Sequence, residues 1–136
     1  RNPNATRPWQ YVLEPLSGYL TLAQKLFNEG QGFAEAWNFG PDDEDAKSVG
    51  WIVESLANEW GEKAAWEIDV SEQPHEAHYL KLDISKAKNK LKWNPVLDIS
   101  GALESTVSWH KKWLAGTNAA ELCLSEIERF VDKYEI

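Results

Sequence analysis

The sequence predicts an α/β chain with a small sheet and more helix than strand. Three observations carry this. Segments of 3.6-residue apolar spacing outnumber short aromatic or β-branched runs. Serine and aspartate stand where helices should begin, and glycine where they should end. The strand candidates are short and scattered between helices, too few for a sheet of ordinary size.

The opening run, from Arg7-Pro8-Trp9 to Leu13, reads as extended. Pro15 suits the first turn of a helix, where a missing N–H costs nothing. Leu16, Tyr19, Leu20, Leu22, Ala23, Leu26 and Phe27 follow helical spacing, and Gly30 is a C-terminal stop. Phe33 to Phe39 has strand length and aromatic content, with Gly40-Pro41 as terminator. The acidic run Asp42-Asp43-Glu44-Asp45 precedes an amphipathic stretch and reads as acid before a helix N-terminus. It lacks the alternating oxygen ligands of a calcium loop.

Ser48 is placed to cap a helix over 49–60, closed by Gly61, with Ile52, Leu56 and Trp60 on one face. Ala65 to Asp69 and His78 to Leu82 are two further strand candidates. Asp83 caps a short basic helix from Ser85 to Leu91, and Asn94-Pro95 breaks the chain. Asp98 caps a longer helix through Leu103, Val107 and Trp113 that ends at Gly116. A last amphipathic helix begins after Asn118, with Leu122, Ile127, Phe130 and Val131 as its buried side.

Composition narrows the function classes. The 136 residues carry a net charge of -8, which repels a phosphate backbone and predicts no nucleic-acid partner. No run is long and apolar enough to span a membrane. Cys123, the single cysteine, has no partner for an internal disulfide; this fits a reducing, cytoplasmic setting and a core or interface thiol. The chain starts at Arg1 and has no methionine, and is expected to be a processed product or a piece of a longer chain. Of eight tryptophans, Trp51, Trp60, Trp93, Trp109 and Trp113 fall on or beside helical apolar positions and read as core. Trp9 and Trp37 lie in extended segments, open to a role near a site.

There is no G-x-G-x-x-G fingerprint, no nucleophile elbow and no H-E-x-x-H pair. His75 and His78 flank Glu76 on a loop after Pro74, in a spacing that favours a solvated loop or ligand contact over a metal. His110, beside Lys111 and Lys112, reads as a surface face. Arg7, set between Thr6 and Pro8 at the start of an extended run, is better held than most arginines; a guanidinium grips a diphosphate in two places.

Four segments in register resemble one family. Arg7-Pro8-Trp9-Gln10-Tyr11-Val12-Leu13-Glu14 resembles an R-D-W-x-x-V-x-D segment, and Trp37-Asn38-Phe39-Gly40-Pro41 an aromatic-Asn-x-Gly segment. Leu82-Asp83-Ile84-Ser85-Lys86-Ala87, with Leu91-Lys92-Trp93-Asn94-Pro95, resembles D-x-S-K-A…L-G-W-x-P. Thr106-Val107-Ser108-Trp109 resembles T-V-x-W. These belong to the extended short-chain dehydrogenase/reductases that modify nucleotide sugars. Pro8 and Glu14 stand where sister enzymes usually have Asp, and these departures place the likeness with one subgroup of the 4,6-dehydratases. Lys92 stands where the family usually has Gly.

The resemblance implies an NAD-dependent dehydratase with an N-terminal Rossmann domain and a smaller C-terminal nucleotide-sugar-binding domain. Residues 1–136 would be that second part, the first being absent from this chain. It implies oxidation of the sugar at C4, loss of water across C5–C6 and return of the hydride to C6. The Tyr-x-x-x-Lys pair that serves this chemistry does not occur here, so no residue of the chain is assigned as catalytic, and none as a metal ligand. The resemblance assigns substrate contacts to Arg7 (diphosphate), Asn38 (nucleotide) and Glu76 (ribose), with His75, His78 and Arg1 as neighbours. It further implies NAD held mainly by the missing domain, and oligomers formed by the intact enzyme. A free-standing sugar- or nucleotide-binding module, another dehydratase or epimerase of the family, and a structural domain with all-core tryptophans remain the alternatives.

Overall fold

The computed structural model describes residues 2–71 and 77–134. Helix dominates: α1 spans Leu13–Glu29, α2 Val49–Trp60, α3 Ile99–Leu114 and α4 Ala119–Tyr134. Two short strands, β1 (Thr6–Arg7) and β2 (Lys47–Ser48), pair antiparallel with Thr6 opposite Ser48 and Arg7 opposite Lys47. On its other side Thr6 bridges Tyr79 in parallel: Thr6 N–H donates to the His78 carbonyl at 2.8 Å, and Leu80 N–H to the Thr6 carbonyl at 3.1 Å. The expected balance, a small sheet with more helix than strand, is what the chain shows.

The helix boundaries follow the local chemistry. Ser48 Oγ accepts the Trp51 amide at 3.2 Å and Asp98 Oδ1 the Gly101 amide at 2.8 Å, each satisfying an orphan N–H of a first turn. Asn118 Oδ1 does the same for Ala120 at 2.9 Å. Gly30 and Gly61 close α1 and α2 at φ +79° and +68°, which a side chain would strain. The short basic helix after Asp83, whose Oδ1 accepts the Ser85 amide at 2.9 Å, widens into a π-turn over Ala87–Leu91. Lys92 follows it in the left-handed region, φ 60° and ψ 20°.

Three expected strands are corrected. From Phe33 to Phe39 there is no strand: Gly30–Phe33 forms a 3-10 turn, and the Trp37 indole donates back to the Phe33 carbonyl at 3.0 Å. The aromatic rings stack on each other, Phe33 on Trp37 at 6.1 Å, instead of lining a pleat. Residues 65–69 are exposed and have no strand partner among the described residues; the Trp66 indole turns to Glu54 at 2.9 Å. The expected strand from His78 to Leu82 shrinks to the bridge at Tyr79, and the extended run from Arg7 to Leu13 gives way to α1 at Leu13 itself.

Two apolar clusters hold the elements. Phe39, Ile84, Ala87, Leu91 and Trp93 form one; Tyr11, Ala102 and Phe130 form the other. Only Trp93 of the tryptophans read as core is fully buried, its edge against Phe39 at 5.1 Å and its indole donating to Ser17 Oγ at 2.9 Å. Trp51 and Trp113 are exposed, as are Ile127 and Val131 of α4, while Leu122 and Phe130 are buried as expected. The acidic run is consumed locally. Asp42 pairs with Lys88, Asp43 with Lys81, and Asp45 Oδ1 accepts the first amide of α3, Ile99, at 3.1 Å.

Helix α1 packs Leu13 and Leu22 inward but turns most of its apolar residues outward. Its buried residues are Glu14 and Gly18, and its spaced apolar residues point largely to solvent.

Candidate nucleotide-sugar site

Three of the six proposed contact residues are described: Arg7, Asn38 and His78. Arg1, His75 and Glu76 lie outside the described residues.

Arg7 is the second residue of β1 and is half-buried. Its guanidinium Nη1 donates to the Thr6 carbonyl at 2.8 Å, folding the side chain back along the strand. The backbone beneath it is fixed on both flanks, by β2 and by the Tyr79 bridge. His78 belongs to that second flank. Its carbonyl receives the Thr6 amide, and its exposed ring places Nδ1 3.3 Å from Asn2 Nδ2. The ribbon therefore brings the His78 segment alongside Thr6 and Arg7.

Asn38 meets the far end of the segment that starts at His78. Its exposed amide donates to the Asp83 carbonyl at 3.2 Å. Its neighbour Phe39 is buried, and the Phe39 carbonyl accepts Gln10 Nε2 at 3.0 Å. Gln10 is three residues beyond Arg7, so this bond registers the Arg7 segment against the Asn38 segment. Among the described residues Gln10 Oε1 is buried without a hydrogen-bond partner. Sequence reasoning passed over Gln10; its place inside the string that carries the family likeness was the available signal.

Next to Asn38 opens a groove of about 630 Å³ lined by Pro41, Asp42, Asp43, Lys81, Asp83 and Lys88, among others. Its two lysines face three aspartates. Contact with the Tyr79 side chain, then with Asp43, raises the Lys81 ammonium above its usual value. Hydrogen bonds from Ser85 hold the Asp83 carboxyl below the usual range. A groove with this surplus of carboxylates repels a diphosphate and suits hydroxyl-rich groups.

A second groove, of about 530 Å³, lies between residues 10–13, α3 and α4. Val12, Trp109, Cys123 and Ile127 give it an apolar lining. Cys123 is exposed there, so its reading as a core thiol is corrected. At the groove's edge the Tyr11 hydroxyl donates to Glu126 Oε2 at 2.9 Å, and Arg129 donates to Glu126 Oε1 at 2.7 Å. Burial, then the Glu126 carboxylate, pushes the Tyr11 phenol above its usual range. His110 is exposed, as expected, with Nδ1 2.8 Å from the Thr106 carbonyl.

The helix N-termini among the described residues are poor seats for the pyrophosphate of NAD. A helix N-terminus holds such a group through open amides. Here Ser48, Asp98 and Asn118 each take one or two first-turn amides of α2, α3 and α4, and the first turn of α1 carries the buried Glu14.

No protein-family model matches the chain. A CDP-glucose 4,6-dehydratase from Salmonella typhimurium is 50% identical over 131 residues, 96% of this chain. Over that stretch the chain is a relative of a CDP-glucose 4,6-dehydratase. The family likeness read from the four motifs, and its dehydratase subgroup, agree with this. The chain spans 36% of the length of that relative.

Proposed function

We propose that the chain is the nucleotide-sugar-binding part of an NAD-dependent CDP-glucose 4,6-dehydratase. The observation that carries the reading is the 50% identity across nearly the whole chain. In this reading the intact enzyme converts CDP-glucose to its 4-keto-6-deoxy derivative. NAD and the catalytic groups are held by the rest of the enzyme, and NAD supplies the hydride acceptor and donor.

This chain binds and orients. Arg7 takes the diphosphate through paired N–H donors, exchanging the Thr6 carbonyl for phosphate oxygens. Asn38 meets the nucleotide, and Glu76 accepts from the ribose hydroxyls. His75, His78 and Arg1 lie beside them. The Gln10–Phe39 bond keeps Arg7 and Asn38 in register.

Calorimetric titration with CDP, CDP-glucose and UDP-glucose tests the nucleotide assignment, and turnover of CDP-glucose by the intact enzyme tests the reaction. In that enzyme Arg7→Ala should raise KM about 10- to 100-fold while kcat changes less, because the diphosphate is held alike in ground and transition states. Arg7→Lys should recover only part, since an ammonium keeps the charge but loses the fork. An unchanged KM in Arg7→Ala removes Arg7 from the site.

A further inference from the structure

The outward face of α1 has a composition suited to burial. Val12, just ahead of the helix, and Leu16, Tyr19, Leu20, Ala23, Leu26 and Phe27 share one side, at spacings of three and four residues. All are exposed; Leu20 keeps 73% and Phe27 91% of its accessible surface. The inward face mixes Leu13 and Leu22, packed against the two apolar clusters, with small and polar residues. Gly18 lies against Phe39, Glu14 is buried, and Ser17 and Thr21 bond to carbonyls within the helix. The charged residues of α1 are Glu14, Lys25 and Glu29, and none falls on the apolar side. In a chain of net charge -8, an uncharged side running four turns of helix is a surface that expects cover. It runs on through Val12 into the apolar groove lined by Trp109, Cys123 and Ile127.

We propose that this continuous surface, the outer face of α1 with the groove between α3 and α4, is the seat of the remainder of the same polypeptide. The occupant follows from length. The 131 matched residues are 36% of the Salmonella dehydratase, so about two thirds of such an enzyme lies outside this chain and requires a surface to close on. That part docks its own apolar elements against Leu16, Leu20 and Phe27, and fills the groove at Val12 and Ile127. The inference shares with the dehydratase reading the length of the intact enzyme, but not its substrate.

The test compares one double variant, Leu20→Gln with Phe27→Gln, in two settings. Glutamine propagates a helix about as well as leucine, so the helix itself is not penalised. The first setting is the 136-residue chain. The second is the full-length Salmonella dehydratase with its matched stretch replaced by this chain. In the full-length protein the double variant should lower Tm by about 5 °C or more, because buried apolar contacts are lost. In the 136-residue chain Tm should stay within about 1 °C. An unchanged Tm in the full-length protein overturns the proposal. So does a full-length hybrid that fails to fold, or a 136-residue chain that forms dimers which the variant splits into monomers. None of these readouts uses turnover, so a wrong substrate assignment would leave them untouched.

Discussion

The carboxylate of Glu14 closes on the backbone of Leu97. Glu14 Oε1 accepts the Leu97 amide at 2.8 Å, and both oxygens accept the Val96 amide at 3.1 Å. Glu14 is completely buried, in the first turn of α1, and the amides belong to the turn after Asn94-Pro95. One side chain thus fastens the helix that follows the Arg7 segment to the turn that leads into α3. Removing it leaves two amides without an acceptor in a partly buried turn. Glu14→Ala should therefore cost about 2–3 kcal/mol. Urea unfolding of the two proteins measures the difference, and a loss well under 1 kcal/mol would mean that water replaces the carboxylate.

The same residue sets a pH dependence. Desolvation raises the Glu14 carboxyl above its ordinary 4.5, against the lowering effect of the Leu97 and Val96 amides. Between 4.5 and the raised value, the folded chain binds more protons than the unfolded chain. The Glu14 contribution therefore makes stability fall as pH rises through that window, and below 4.5 the contribution is level. Asp83 and Glu35, whose carboxyls are held low, act in the opposite direction at lower pH. Unfolding free energies of the native chain and of Glu14→Gln, measured from pH 4 to 8, isolate the one group. The variant should lack the downward slope just above pH 4.5, and identical slopes would rule the effect out.

What the sequence made legible follows a physical division. Ser48, Asp98, Asn118 and the stop glycines were readable because a cap is a bond between residues two to four apart. The strands at Phe33 to Phe39 and Ala65 to Asp69 were misread because strand identity depends on a neighbouring edge, which no local pattern contains. The apolar spacing of α1 was read correctly, but not the direction in which it faces, since that depends on what lies opposite. For the candidate site, motif likeness pointed to Arg7, Asn38 and His78. It did not point to Gln10, which ties the first two segments together, or to Lys81 and Lys88, whose groove forms only when the 41–43 and 81–88 stretches meet.

Gly18 should invert the usual rule for helix glycines. Alanine in place of an exposed helical glycine commonly stabilises by about 1 kcal/mol. Here an added Cβ would lie 2.3 Å from Phe39 Cδ1 and 2.7 Å from Cγ, too close for any contact. Phe39 cannot withdraw easily, because Tyr19 meets its ring at 5.5 Å and Trp93 at 5.1 Å. Gly18→Ala should destabilise by about 1–3 kcal/mol. It should also weaken nucleotide binding through Asn38, which precedes the displaced ring. Thermal melting together with CDP titration checks both effects, and a gain in stability would show that Phe39 has room to turn.

Lys92 carries a backbone strain that the sequence can relieve. It ends the π-turn at φ 60° and ψ 20°, a conformation in which a Cβ crowds the following peptide while glycine meets no such penalty. The side chain is exposed, and the L-G-W-x-P segment that this stretch resembles has glycine here. The position controls how the chain leaves Leu91 and delivers Trp93 into the core, where that ring is 1% exposed. Lys92→Gly removes the crowding and keeps the path. The added freedom of glycine in the unfolded chain offsets part of the gain, so the expected stabilisation is about 0.5–1 kcal/mol. Lys92→Ala keeps a Cβ and loses only the ammonium, and should leave stability within about 0.5 kcal/mol. If alanine and glycine stabilise equally, the strain argument fails and the lysine charge is the cause; urea midpoints for the three proteins at one pH decide it.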